Sequence, residues 1–82
     1  MQMLHVDEKV EELLAELFQL PKAEINDDLT MLDIAAWDSL KHMELIVMLE
    51  EASGEQFTFD EIVAMRSVRE IKRVMRSKVG SR

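Results

Sequence analysis

Apolar residues recur with the 3.6-residue period of an α-helix along most of this chain, and this period limits the folds open to it. The first such stripe contains Val6, Val10, Leu13, Leu14, Leu17 and Phe18. Residues 68–75 repeat the pattern. With only 2 glycines and 1 proline, the chain has too few turn-forming residues for the many tight turns of a β-sandwich or barrel. The sequence therefore predicts an all-α protein.

Capping residues predict four helices, each opened by a side chain that can accept a hydrogen bond at the helix start: Asp7, Asp38, Thr58 and Ser67. Helix one should close before Pro21, helix two should stop at Gly54, and the third should end near Met65. Residues 21–38 show no helical period, but their apolar side chains would let them lie over a core. We therefore predict a small four-helix bundle with a long first loop and a short third helix.

The 82 residues suffice for one small domain and not for two. We expect a single domain over residues 1–82, with an ordered core at about 6–77 and a frayed tail at 78–82. There is no cysteine, and the acidic residues lack EF-hand spacing, so we predict no metal site. No apolar run approaches the ~20 residues of a membrane span, and we identify no signal peptide. These features predict a cytoplasmic monomer.

The net charge of −7 is divided unevenly along the chain. Residues 1–64 contain 16 acidic and 3 basic side chains, whereas residues 65–82 contain 1 acidic and 7 basic ones. An acidic body repels nucleic-acid phosphates and anionic lipids, and it attracts basic protein surfaces. We therefore predict protein partners and no binding to nucleic acid or membranes. The basic side chains of helix four should pair with acids of helix one, such as Glu12 or Glu16, or remain solvated.

Helix two has more apolar residues than one buried face requires. The stripe that should enter the core contains His42, Leu45, Ile46 and Leu49. A second stripe on another side of the helix consists of three apolar residues and three bordering acids: Leu40, Met43, Val47, Glu44, Glu50 and Glu51. Either the long loop covers this second stripe, or the stripe is exposed as a contact surface for another protein.

The tripeptide Asp38-Ser39-Leu40 lies at the predicted start of helix two. Ser39 would be the first helical residue, where the helix dipole and the unpaired backbone N–H groups favour an attached phosphate. The alternative is ordinary capping, because an Asp-Ser pair is common at helix starts. Ser39 and His42 could also form a nucleophile and its base. No third residue is evident to orient the histidine, so we predict no catalytic residue.

The order of these features is similar to that of one known family. An acidic chain of this length has a long first loop, Asp38-Ser39-Leu40 at the start of helix two, Phe59-Asp60-Glu61-Ile62 on a short helix, and a cap at Ser67 before the last helix. This order resembles the acyl carrier protein and peptidyl carrier protein family over residues 6–74. The most specific stretch runs from Trp37 to Glu51.

In that family the serine carries 4′-phosphopantetheine, which a phosphopantetheinyl transferase attaches from coenzyme A. The resemblance implies that Ser39 is this serine, and that Asp38 caps the helix and helps to engage the transferase. The thiol of the arm then holds an acyl or aminoacyl group as a thioester, and the protein itself catalyses no reaction. The resemblance also implies a surface for loading and downstream enzymes with basic docking patches, formed by Leu40, Met43, Glu44, Val47, Glu50 and Glu51.

Three residues depart from the pattern of bacterial fatty-acid carriers. Trp37 replaces a small residue, Lys41 stands where an acid is frequent, and His42 replaces a small polar residue. With the basic fourth helix, they are more similar to free-standing carriers of polyketide, nonribosomal-peptide or modified fatty-acid pathways. The alternative from another class is an acidic helical interaction module without a prosthetic group, which would give Ser39 no role.

Overall fold

Four α-helices and one 3₁₀ turn make up the computed structural model, which describes residues 5–80. The helices are α1 (Val6–Phe18), α2 (Ser39–Ser53), α3 (Phe59–Ala64) and α4 (Val68–Gly80), and the 3₁₀ turn is Lys22–Glu24. The predicted all-α bundle with a long first loop and a short third helix is therefore confirmed. No helix in the described part of the chain is long and apolar enough to cross a membrane.

The core lies where α1 packs against α2 and α4, with α3 packed against α4. Its largest fully buried side chains come from α1, α2, α4 and the segment between α3 and α4: Val10, Leu14, Leu45, Ile46, Leu49, Met65, Val68 and Ile71. Full burial of such a side chain stabilises the fold by about 1.5–3 kcal/mol. The predicted stripes of α1, α2 and α4 all enter this core. Met65 and Met75 are buried, whereas Met48 is only half-buried.

The caps predicted for the last two helices form. Thr58 Oγ1 accepts the N–H of Glu61 at 3.2 Å, and Glu61 Oε1 accepts the N–H of Thr58 at 2.8 Å, which completes a capping box. This bond to the Thr58 backbone, helped by Lys78, holds the pKa of Glu61 below its ordinary value. Ser67 Oγ accepts the N–H of Glu70 at 3.1 Å. Both helix starts thus follow from local sequence.

The structure corrects the predicted N-cap of α1. The helix already includes Asp7, and His5 occupies the N-cap position without a side-chain hydrogen bond. The Asp7 carboxylate instead accepts hydrogen bonds from Arg76 at 2.8 and 2.5 Å, and these lower the pKa of Asp7. At the other end, Gln19 adopts a left-handed φ of 55°, so α1 ends before it reaches Pro21.

A second correction concerns the partners of the basic residues on α4. Lys72 Nζ lies 2.7 Å from the carboxylate of Glu11 and 2.6 Å from that of Asp27. Burial lowers the pKa of Lys72, but the hydrogen bonds to the two carboxylates outweigh this effect and raise it. α4 does pair with α1, as predicted. The partner of Lys72 is Glu11 and not Glu12 or Glu16, because these two side chains lie on the exposed side of α1.

The C-terminal tail, expected to fray over residues 78–82, is partly described. α4 continues through Gly80, so residues 78–80 are helical. Residues 81 and 82 lie outside the described residues. Lys78 supports this last turn, because its Nζ lies 3.1 Å from the carboxylate of Glu61 and 5.8 Å from the ring centre of Phe57.

The loop between α1 and α2 lies over the core and is bonded to the junction of α3 and α4. Ile25 and Trp37 are buried and anchor it from below. Three backbone N–H···O bonds tie it to the junction: Met31 to Arg66 at 3.0 Å, Val68 to Leu29 at 2.9 Å, and Arg69 to Asp27 at 3.1 Å. These bonds fix the middle of the loop relative to α4, and the buried Trp37 anchors its end beside α2.

Candidate functional site

Asp38 and Ser39 form the start of α2 as the sequence predicts. Asp38 is extended, with φ −101° and ψ −170°, and its Oδ1 accepts the N–H of Lys41 at 2.9 Å. The Asp38 carbonyl accepts the N–H of His42 at 2.8 Å, which begins the helical hydrogen-bond pattern. Ser39 is therefore the first residue of a 15-residue helix, and it is exposed. Its hydroxyl lies at the positive end of the helix dipole.

Ser39 opens onto a groove between α2 and α3. This groove has a volume of about 250 Å³, and its walls are Met31, Ser39, His42, Met43, Ile62, Val63 and Arg66. A second cavity of about 490 Å³ lies under the loop and is lined by Thr30, Met31, Leu32, Trp37, Arg66 and Ser67. The two cavities share Met31 and Arg66. Arg66 is the cation among the lining residues of each cavity.

His42 joins three segments around this groove. Trp37 Nε1–H donates to His42 Nδ1 at 3.0 Å, and His42 Nε2 lies 2.9 Å from the carbonyl oxygen of Ile62. Because Nδ1 accepts a hydrogen bond from Trp37, Nε2 must carry the hydrogen that is donated to the Ile62 carbonyl. The neutral ring therefore links the loop, α2 and α3.

This geometry argues against the nucleophile and base pair considered for Ser39 and His42. Both ring nitrogens of His42 are engaged, by Trp37 and by Ile62, and the ring is buried. Neither nitrogen is available to take the Ser39 proton. Trp37 is a buried loop anchor, and its ring centre lies 5.4 Å from that of Phe18 and 6.1 Å from that of His42.

The second stripe of α2 is exposed, so the loop does not cover it. Leu40 is 70% exposed, Met43 is 48% exposed and Val47 is 50% exposed. Three further apolar side chains that the sequence analysis did not single out for this surface are also exposed, namely Leu32, Phe59 and Val63. The spacing of Phe59 and Val63, four residues apart on α3, is the signal that could have indicated a second exposed face. We call the six residues the apolar surface.

The acids predicted to border α2 differ in their surroundings. Glu44 is exposed and lies 3.3 Å from Lys41 Nζ. Glu51 is exposed as well. Glu50 is half-buried, and its Oε2 accepts the N–H of Phe57 at 3.0 Å, where the chain turns from α2 toward α3. Glu50 therefore has a structural contact that its position on the helix does not reveal.

A family model described as "Phosphopantetheine attachment site" matches residues 8–75. The match covers more than half of the chain and includes the start of α2. The chain belongs to this family. This carrier protein is also similar to "Polyketide-8 synthase acyl carrier protein 2" of Streptomyces avermitilis, with 30% identity over 73 residues that cover 89% of this chain and 84% of that protein. The prosthetic group of the present chain is a covalently attached 4′-phosphopantetheine.

The residues of this carrier protein fit such a group. An exposed hydroxyl at a helix start can form a phosphodiester without disturbing the core, and the backbone N–H groups of the first turn stabilise its charge. The groove beside Ser39 has room for part of an extended arm. When bound, the arm supplies the thiol that a chain without cysteine lacks. An interaction module without a prosthetic group is not favoured, because it leaves these features unexplained.

Proposed function

We propose that Ser39 Oγ is the attachment atom of the phosphopantetheine arm, and that the chain carries acyl or aminoacyl groups on it as thioesters. The observation that supports Ser39 is its hydroxyl, exposed at the first residue of α2. Other described hydroxyls are engaged in hydrogen bonds within the loop, caps and turns: Thr30, Ser53, Thr58 and Ser67. Ser77 is exposed but lies late in α4, where the helix dipole disfavours a phosphate.

The attachment step follows from this placement. The Ser39 hydroxyl displaces adenosine 3′,5′-bisphosphate from coenzyme A, with formation of an Oγ–P bond and cleavage of one P–O bond of the pyrophosphate. The hydroxyl proton passes to a base of the transferase. Asp38 holds the first turn in place through Lys41 N–H, so that Ser39 faces the transferase in a fixed orientation. The chain itself would catalyse no reaction.

We propose the apolar surface as the docking site for the transferase and for the loading and downstream enzymes. Leu40, Met43 and Val47 are exposed in a row on α2, and a row of exposed apolar side chains favours contact with a partner. Glu44 and Glu51 border it with negative charge, which favours partners with basic patches. A monomer in the cytoplasm is the state that keeps this surface open to several enzymes in turn.

For the pathway, we propose polyketide synthesis, because the relative from Streptomyces avermitilis bears that name. This assignment predicts only the chemical class of the cargo, namely acyl groups built by condensation. Trp37 and His42, which are bonded to each other beside the groove, support a carrier that differs from the fatty-acid type. The arm would raise the effective concentration of the cargo at each docked enzyme.

The decisive experiment is intact mass after incubation with coenzyme A and a phosphopantetheinyl transferase of broad specificity. The wild type should gain one phosphopantetheine, and Ser39→Ala should gain none. Ser77→Ala is the matched control, because Ser77 is an exposed helical serine, and this variant should be modified like the wild type. Modification of Ser39→Ala, or an unmodified wild type, would overturn the proposal. Circular dichroism of the Ser39→Ala protein should show an intact fold, because the hydroxyl lies outside the core.

A further inference from the structure

Arg66 lies in the short segment between α3 and α4, and its backbone is held from two sides. Its N–H donates to the carbonyl of Ala64 at 2.9 Å, and its own carbonyl accepts the N–H of Met31 at 3.0 Å. Arg66 is among the residues that line both the groove beside Ser39 and the cavity at the loop. It is therefore the cation among the lining residues of the groove that adjoins Ser39.

Arg66 differs from the other described arginines in having no carboxylate partner. Three arginines of α4 are each paired with an acid: Arg69 with Asp28, Arg73 with Glu70, and Arg76 with Asp7. Within residues 5–80 no carboxylate lies within the 4 Å of an ion pair from the Arg66 guanidinium. Arg66 is also exposed, so its guanidinium is accessible to an added anion. Its neighbours in the groove are apolar: Met31, Met43, Ile62 and Val63.

We propose that the Arg66 guanidinium binds the phosphodiester of the arm, an inference that rests on attachment at Ser39. The phosphate bonded to Ser39 Oγ would carry one negative charge at the edge of a groove that Arg66 also lines. A guanidinium presents two parallel N–H donors that match two phosphate oxygens, and apolar walls strengthen such a contact. The first backbone N–H groups of α2 would hold the same phosphate from the other side.

The consequence is a defined resting position for the arm. With its phosphate held between α2 and Arg66, the arm would leave Ser39 along the groove toward α3 and not extend at random into solvent. A docked enzyme would have to draw the arm away from this contact. Arg66 would therefore act as a positioning residue for the prosthetic group, with no part in the chemistry of the cargo.

The test uses the full chain before and after attachment of the arm, with complete modification verified by intact mass. The side-chain Nε–H resonance of Arg66 should shift when the arm is attached. The Nε–H resonance of Arg73 is an internal control, because Arg73 Nε already donates to Glu70 at 2.9 Å away from the groove, and it should not move. An unmoved Arg66 resonance in fully modified protein would overturn the proposal.

The phosphorus atom gives an independent readout. The ³¹P resonance of the modified wild type should differ from that of modified Arg66→Ala, and modified Arg73→Ala should match the wild type. Identical ³¹P resonances in the wild type and Arg66→Ala would contradict the contact. The Arg66 resonance could instead shift only when the thiol carries an acyl group with a carboxylate. That result would also contradict the proposal, because Arg66 would then bind the cargo and not the phosphodiester. A wild type that gains no arm contradicts the attachment at Ser39 instead, so the two proposals fail in different ways.

Discussion

His42 shows how one side chain can hold the surroundings of Ser39 in place. Its ring accepts a hydrogen bond from Trp37 in the loop and bonds the carbonyl of Ile62 on α3. A buried ring with both nitrogens bonded has one favoured tautomer and one orientation. The groove beside Ser39 thus has walls whose relative positions depend on two hydrogen bonds.

We predict that Trp37→Phe reduces the free energy of unfolding by about 1–3 kcal/mol, because it leaves the buried His42 Nδ1 without its donor while keeping an aromatic ring. Urea unfolding followed by circular dichroism measures this change. Nitrogen NMR of the wild-type histidine should show hydrogen on Nε2 and none on Nδ1. Phe18→Leu serves as a control for aromatic packing against Trp37, since it leaves the His42 bonds in place and the Nε2–H tautomer unchanged. Wild-type stability in Trp37→Phe would show that the bond contributes nothing.

At the residue scale, the sequence predicts the positions that depend on near neighbours. The Asp38 cap bonds Lys41, and Thr58 bonds Glu61, both three residues away. It does not predict the partners of Asp7 or His42, because the contact of Asp7 with Arg76 spans 69 residues and that of His42 with Ile62 spans 20. No local pattern encodes such pairs. They follow from how the helices pack, and an acid near a helix start can serve either as a cap or as a partner of another helix.

Helix α2 has one buried side and one exposed apolar side. One side contributes Leu45, Ile46 and Leu49 to the core, while Met43 and Val47 on another side are about half exposed. The period of the sequence predicts both stripes, but it leaves open whether the loop covers the second. The structure decides this, because Leu40, Met43 and Val47 are exposed and the loop does not cover them.

We predict that Met43→Ala and Val47→Ala change the free energy of unfolding by less than about 1 kcal/mol, since exposed side chains lose little burial on truncation. The same variants should lower kcat/KM for attachment of the arm by a phosphopantetheinyl transferase, mainly through a higher KM. Leu45→Ala is the matched control on the buried side, and it should cost about 2–5 kcal/mol of stability. Strong destabilisation by Met43→Ala or Val47→Ala, or unchanged transferase kinetics, would show that this stripe is not the docking surface.

The short helix α3 shows the limit of pattern analysis at the element scale. The capping box at Thr58 predicts this six-residue helix, but the four-residue spacing of Phe59 and Val63 is the one sign of its exposed apolar side. Phe59 is 76% exposed and Val63 is 45% exposed. Val63 lines the groove beside Ser39 together with Met43 of α2, so exposed apolar residues of the two helices meet there.

At the scale of the whole molecule, basic side chains of α4 form ion pairs with acidic side chains from earlier in the chain. Lys72, Arg69 and Arg76 of α4 each contact an acid from α1 or the loop. The basic end of the sequence therefore does not form a large positive surface, and most of its charge is balanced by the acidic body. That the chain does not bind nucleic acid stays a prediction, which the pairing of these cations supports.

The Lys72 cluster predicts how stability changes with pH. Lys72 is nearly buried, with its side chain 6% exposed, and it bridges Glu11 and Asp27. Its hydrogen bond holds the pKa of Asp27 below the ordinary value of 3.8. A carboxyl whose pKa is lowered by folding stabilises the folded state above its unfolded pKa, and this contribution is lost as pH falls through the folded pKa. We therefore expect the free energy of unfolding to decrease as pH falls below about 4.

Lys72→Met tests whether the pair of Lys72 and Asp27 causes the loss of stability at acid pH. The substitution keeps a long side chain at the buried position and removes the charge. Urea unfolding between pH 2.5 and 7 should give a smaller loss of stability at acid pH for Lys72→Met than for the wild type, since Asp27 no longer has a lowered pKa to lose. Arg73→Met is the control, because Arg73 is exposed and pairs with Glu70 on its own helix, and it should retain the wild-type acid dependence. If Lys72→Met loses stability with acid as steeply as the wild type, the acid sensitivity arises elsewhere. Asp7, whose pKa is lowered by its hydrogen bonds to Arg76, would then be the carboxyl to change next.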